Sequence, residues 1–215
     1  MLKFMTAGYV FLGGFAVMVL EIVGPSYLAP IFGGAFYVWV SQIGVILVAL
    51  ALGYAIGGAL ADRFKRSRVL AIPMGLAGLF TMAIPQLTGK LLLKIIDRHP
   101  AGDIPLVWQK LDPVLGSSLV FFLPCFVLAI ISPYMVRLAT RKLERVGTVS
   151  GLIYSASTVG SIAGVFVTGY IFIDSFALKT IFQITGTLIL VLGVLSVAMD
   201  PWLRVPADET LLPKS

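Results

Sequence analysis

Phe36-Tyr-Val-Trp-Val-Ser-Gln-Ile-Gly-Val-Ile-Leu-Val-Ala-Leu-Ala-Leu-Gly-Tyr-Ala-Ile-Gly-Gly-Ala-Leu-Ala61 carries no charged side chain. About 20 such residues in a helix cross the roughly 30 Å hydrocarbon core of a bilayer. Within hydrocarbon the backbone must satisfy its own polar groups, so the stretch reads as a spanning helix. Similar runs recur before and after it. They predict six spans, at about residues 5–29, 36–61, 69–88, 114–136, 149–172 and 179–199. Residues 200–215 form a short polar tail that is expected to fray. The expected fold class is an all-α integral membrane protein with six transmembrane helices.

Composition agrees. The chain is 59% hydrophobic and 12% charged, with a mean hydropathy of +1.01. A soluble domain carries about 25% charged residues, so no separate soluble domain is expected. The net charge of +6 has a topological explanation rather than a nucleic-acid partner. Eleven of the 16 lysines and arginines fall on one side of the predicted spans. They are Lys3, Arg63, Lys65, Arg66, Arg68, Arg137, Arg141, Lys142, Arg145, Arg204 and Lys214. Cytoplasmic loops are enriched in such residues. Both termini are therefore expected in the cytoplasm, as in a protein of a bacterial inner membrane. That basic face would also attract anionic lipid. Glu21, and the poor cleavage site Tyr27-Leu-Ala-Pro30, argue that the first apolar run is a span rather than a signal peptide.

Glu21 is the one acidic residue inside the long apolar runs. Placing such a group in a transmembrane helix costs roughly 2.5–3.5 kcal/mol, so it normally faces protein or water and serves a function. Gly14 and Gly24 share its helical face, which points Glu21 into the bundle. Pro25 cannot donate to the residue four before it, so it frees the Glu21 carbonyl. Ser41 and Gln42 are expected at a similar depth on the second helix. Tyr27, Tyr37 and Trp39 are expected around the same outer mouth. Aromatic rings about one carboxylate suit an amine through cation–π attraction, although an interfacial aromatic belt has the same composition. The candidate ligand site is therefore Glu21, Tyr27, Tyr37, Trp39 and Gln42.

Helices in lipid associate where small residues allow close approach. Ala49, Gly53, Gly57 and Ala61 form one row at spacing four, and Ala156, Gly160, Gly164 and Thr168 form another. Gly53, Gly57, Gly160 and Gly164 are the candidate packing positions, either within the chain or against a second copy. Between the third and fourth spans, Ile104-Pro-Leu-Val-Trp-Gln-Lys-Leu111 is expected to lie flat at the outer interface. His99 and Asp174 are expected to be solvated, and Cys125 to be a packing residue. No nucleophile–base pair and no cluster of metal-ligating residues is present. No catalytic residue, metal or cofactor is expected, and the chain is not expected to act as an enzyme.

Gly58-Ala-Leu-Ala-Asp62-Arg63-Phe-Lys65-Arg66-Ser-Arg68 resembles the signature loop between the second and third helices of major facilitator transporters. The resemblance implies a charge latch at the cytoplasmic ends of the helices, built here from Asp62, Arg63, Arg66 and Arg137. Lys65 stands where that family has glycine, which puts a Cβ at the tight turn. Six helices with both ends inside resemble one half of such a transporter.

A second resemblance covers most of the chain. Val19-Leu-Glu-Ile-Val-Gly24, Leu28-Ala-Pro-Ile-Phe-Gly33, Leu50-Ala-Leu-Gly-Tyr54, Ser132-Pro-Tyr-Met-Val-Arg137 and Gly151-Leu-Ile-Tyr-Ser-Ala-Ser157 are similar to the membrane domain of fused transporter/spermidine-synthase-like proteins. Those proteins carry a soluble aminopropyltransferase domain. The 215 residues here hold no alternating strand–helix region, so that activity is not carried over. The resemblance implies a transporter-like module that binds or moves a small cationic solute such as a polyamine, as a homodimer or with a partner. The alternative is a non-catalytic membrane anchor or subunit for a spermidine-synthase-like protein or a larger membrane complex, docked through its basic loops.

Overall fold

The computed structural model describes residues 2–33, 35–99, 105–140 and 145–203. Helix α1 is Leu2–Phe32 and α2 is Ala35–Phe64. A 3-10 turn at Ser67–Leu70 opens α3, Ala71–Ile96. Helix α4, Leu106–Ser117, continues through a π-turn at Ser118–Phe122 into α5, Leu123–Ala139. Helix α6, Val146–Val167, continues through a second π-turn at Thr168–Phe172 into the single turn α7, Ile173–Ser175. Helices α8, Leu178–Ala198, and α9, Asp200–Leu203, follow. The described residues contain no strand.

Six continuous rods are long and apolar enough to cross a membrane: Phe4–Phe32, Phe36–Phe64, Ser67–Ile96, Leu106–Ala139, Val146–Ser175 and Leu178–Ala198. Each coincides with one expected span, and the chain is an integral membrane protein. The π-turn at Ser118–Phe122 directly precedes Pro124. Proline cannot donate to the carbonyl four residues back, and a widened turn accommodates the missing bond.

The main pairings are α1 with α6, α2 with α5, and α3 with α8. In terms of spans, the first pairs with the fifth, the second with the fourth, and the third with the sixth. Exchanging the first three spans for the last three leaves this pattern unchanged. Helix α1 runs through the middle and also touches α2, α5 and α8. The buried core includes Leu20, Leu28, Ile46, Phe121, Tyr134 and Met135.

Both small-residue rows are used inside the chain. A Cβ on Gly53 would lie 2.5 Å from the Phe126 carbonyl and the Ala129 methyl of α5. One on Gly57 would lie 2.8 Å from the Ile130 carbonyl. On α6, Gly160 lies against the Phe11 carbonyl of α1, and a Cβ on Gly164 would come 2.7 Å from that of Phe15. The rows therefore cannot be the contact with a second copy, because neighbouring helices of the same chain already fill them. A third close approach, Gly78 on α3 against Gly186 on α8, has no long row to announce it.

The helix ends correct three sequence expectations. The Ile104–Leu111 stretch is expected to lie flat as a separate helix; Ile104 lies outside the described residues, and the rest does not form one. From Leu106 onward it is the first part of the fourth span, and α3 reaches Ile96. Second, His99 is not solvated: its Nε2 lies 2.8 Å from Oδ2 of the buried Asp112, and Arg98 Nη2 donates to Oδ1 at 3.0 Å. The carboxylate clamps the end of α3 to the start of α4. Third, the tail does not fray from residue 200, because α9 holds Asp200 in a buried position. Its Oδ1 accepts the Arg68 backbone N–H at 3.3 Å. Asp174 is exposed, as expected.

Candidate functional site

Helices α2 and α6 each pack on a different partner, α5 and α1, and scarcely touch one another. A cleft lies between them, floored by α1 and α5. At mid-length it widens into a cavity of about 220 Å³. Gly13, Gly14, Val17 and Met18 line it from α1, and Leu50 and Tyr54 from α2. Ser132 lines it from α5, and Ser157 and Ser161 from α6. Gly14 brings α1 against α6: a Cβ there would collide with the Ser157 carbonyl and stand 3.0 Å from both serine hydroxyls. Ser161 Oγ donates to the Gly14 carbonyl at 3.3 Å. Tyr54 of α2 is exposed at the edge of this cavity, and Tyr154 of α6 is exposed one turn before Ser157. Hydroxyls and small residues thus line a space at the depth where a bilayer is driest.

Glu21 extends the row of Gly14, Val17 and Met18 by one turn. It is half-buried and stands near Cys125 of α5. Among the described residues, its carboxylate has no hydrogen bond and no ion pair. Gln42 is the one expected neighbour that the structure brings to it. Gln42 Nε2 donates to the Glu21 carbonyl at 2.9 Å and to that of Leu20 at 3.3 Å. Gly24 leaves the room for this amide, since any Cβ there would overlap it. Gln42 Oε1 remains buried without a partner.

The expected aromatic mouth does not form. Tyr27 points toward α3 and α8. Its hydroxyl lies 2.8 Å from Thr88 Oγ1, and its ring meets Phe182 edge-on at 5.1 Å. Tyr37 lies beneath Lys110 of α4, whose Nζ is 5.7 Å from the ring centroid. Trp39 is 42% exposed on the outer surface of α2. Helical spacing explains the failure, because these side chains leave their helices in different directions.

Nearer the α2–α3 connection lies a second, separate cavity of about 430 Å³ lined by Gly58, Asp62, Pro133, Arg137, Thr140 and Tyr154, among others. Arg137 Nε donates to Asp62 Oδ1 at 2.6 Å. The expected four-residue charge network reduces to this pair. Arg63 stacks over the neighbouring Phe64 ring at 5.5 Å. Arg66 contributes its backbone carbonyl, which accepts Tyr134 Oη at 2.7 Å. Lys65 ends α2 with φ of 49°, and its N–H donates to the Ala61 carbonyl at 3.1 Å. The tight turn therefore forms with lysine in the left-handed region, at a strain glycine would not carry.

Tyr54, Ser132 and Tyr154 enter this site without having been singled out as ligand residues. Only Ser157 and Ser161, beside the glycine row of α6, gave a positional signal in the sequence. The described residues contain no group of three or more potential metal ligands. Compared with protein-family models, curated proteins and solved structures, the chain has no match.

Proposed function

We propose that the chain is a transporter-like membrane module, resembling one half of a major facilitator transporter, whose cleft takes a small cationic solute such as a polyamine. One observation carries this reading. The Glu21 carboxylate has no hydrogen-bond or ion-pair partner among the described residues, and it stands one helical turn along α1 from a hydroxyl-lined cavity, within a segment long and apolar enough to cross the membrane. Ionisable groups at such depth mark ligand and ion pathways. The pairing pattern of the spans supports the architectural part. Facilitator halves are built from two three-helix repeats of inverted topology, and the pairings here survive exchange of the two triplets.

A cleft open along one side would place Tyr54, Tyr154 and Thr158 against lipid. Polar groups in hydrocarbon are costly, so a second copy seated over the free faces of α2 and α6 closes the pathway. The test is spermidine uptake into proteoliposomes. Wild-type protein takes up spermidine, and Glu21→Gln abolishes uptake while leaving the protein folded and dimeric. Uptake that survives Glu21→Gln overturns the reading.

The alternative, a membrane anchor for a synthase-like protein, is favoured by the exposure of Arg63 and Arg68 at the α2–α3 connection. It predicts that a soluble synthase-like protein co-purifies with the chain and is lost when those two arginines are changed to serine. It also predicts that Glu21→Gln leaves that association intact.

A further inference from the structure

A groove of about 730 Å³ runs between α2 and the α4–π-turn segment, away from the cleft. Its walls descend from Phe36 and Tyr37 to Val48 on α2, and from Lys110 to Phe122 on the opposite side. Each wall spans thirteen residues of helix, and their twelve rises make about 18 Å. One leaflet of a bilayer contributes about 15 Å of hydrocarbon. The groove therefore has the length of a single acyl chain in one leaflet. Gly44 lies midway along it, and a Cβ there would meet nothing within 4 Å, so the missing side chain keeps the channel open. Serine is the only polar residue type along the walls below the mouth, and Ser118 satisfies its hydroxyl internally by donating to the Val114 carbonyl at 2.7 Å.

The mouth is chemically different. Lys110 is exposed, lies over the Tyr37 ring, and has no acidic partner among the described residues. It sits at the end of the bundle that bears the α1–α2 and α3–α4 connections, where a headgroup would lie. Trp108 is nearby on α4 with Arg98 over its ring at 5.4 Å, an arrangement suited to the membrane interface.

We propose that this groove is a binding site for an anionic phospholipid, with one acyl chain between α2 and α4 and the phosphate at Lys110. The charge at the mouth selects the headgroup, and the groove holds the chain. The site is independent of the cleft and of the solute reading.

The test uses the full chain, delipidated in detergent and titrated with phosphatidylglycerol or phosphatidylcholine, with retained lipid counted by native mass spectrometry. Wild-type protein is expected to retain phosphatidylglycerol about fivefold better, the worth of one lysine near an anionic headgroup. Lys110→Gln removes that preference and leaves phosphatidylcholine retention unchanged. Gly44→Leu fills the groove and lowers retention of both lipids. Since a side chain at 44 meets no protein atom at its root, the variant is expected to keep its thermal unfolding midpoint, which is measured alongside. Equal retention of the two lipids by wild-type protein overturns the headgroup assignment. Unchanged retention in a folded Gly44→Leu variant overturns the groove.

Discussion

Gln42 Nε2 donates across the α1–α2 interface to the Glu21 carbonyl at 2.9 Å. That carbonyl is the one Pro25 leaves without a helical donor, because proline lacks the N–H four residues on. The glutamine amide repairs the break, and Gly24 makes space for it. One residue therefore holds the backbone beneath the carboxylate, and the side chain of Glu21 remains uncommitted.

This repair can be tested by a double-mutant cycle. Gln42→Leu leaves a buried carbonyl unsatisfied and should cost about 1–2 kcal/mol, the upper range for interhelical hydrogen bonds in membranes. In a Pro25→Ala background the helix supplies its own donor, and the same change should cost much less. Thermal unfolding of the four proteins in detergent measures the coupling. Equal costs in both backgrounds would mean that the amide is not replacing the missing N–H.

Adjacent glycines on α2 should behave oppositely. Gly57→Ala brings a methyl to 2.8 Å from the Ile130 carbonyl and should destabilise by about 1–3 kcal/mol, as overpacking does. A Cβ on Gly58 meets nothing within 4 Å, so Gly58→Ala should stay within about 0.5 kcal/mol of wild type. Unfolding midpoints compare the two directly.

Lys65→Gly should stabilise the protein. Relieving a left-handed lysine returns about 1–2 kcal/mol of steric cost, part of which glycine's larger unfolded-state entropy offsets. A net gain of about 0.5–1 kcal/mol is expected, read as a higher unfolding midpoint. A lower midpoint would indicate that the lysine side chain makes a stabilising contact at the turn.

Asp62 and Arg137 should matter little to stability. The Asp62 side chain is 69% exposed, and exposed ion pairs contribute about 0–1 kcal/mol. Asp62→Asn is expected to shift unfolding only slightly, and the shift should shrink further in high salt. If the pair acts as a gate, its loss appears instead in the uptake rate, with restoration in the charge-swapped Asp62→Arg/Arg137→Asp protein.

Much of the fold was legible in the sequence. Charge-free runs set the six spans, since hydrocarbon tolerates few alternatives to a helix. The glycine rows of α2 and α6 announced close contacts, and Pro25 announced a free carbonyl at Glu21. What was not legible concerned which faces meet. Rows at spacing four say that a helix is approached closely, but not whether the neighbour belongs to the same chain. Tyr27, Tyr37 and Trp39 are near one another in sequence and depth, yet turn toward α3, α4 and lipid. Asp112 and His99 are separated by a loop, and local sequence gives no hint that one buries the other. The hydroxyls of Ser132, Ser157 and Ser161 converge only because α5 and α6 pack side by side against α1.

The central claim is that the α2–α6 cleft is a polar, water-accessible pathway within the membrane. Its most direct test is cysteine accessibility in intact membranes, with Cys125→Ala as the background. Ser157→Cys should react with a charged, membrane-impermeant thiol reagent. Val159→Cys, two residues along α6 and 55% exposed away from the cleft cavity, should not. Spermidine should slow the reaction at 157. If Ser157→Cys reacts only with membrane-permeant, apolar reagents, as Val159→Cys does, the cleft is not a water-accessible pathway and the transporter reading fails.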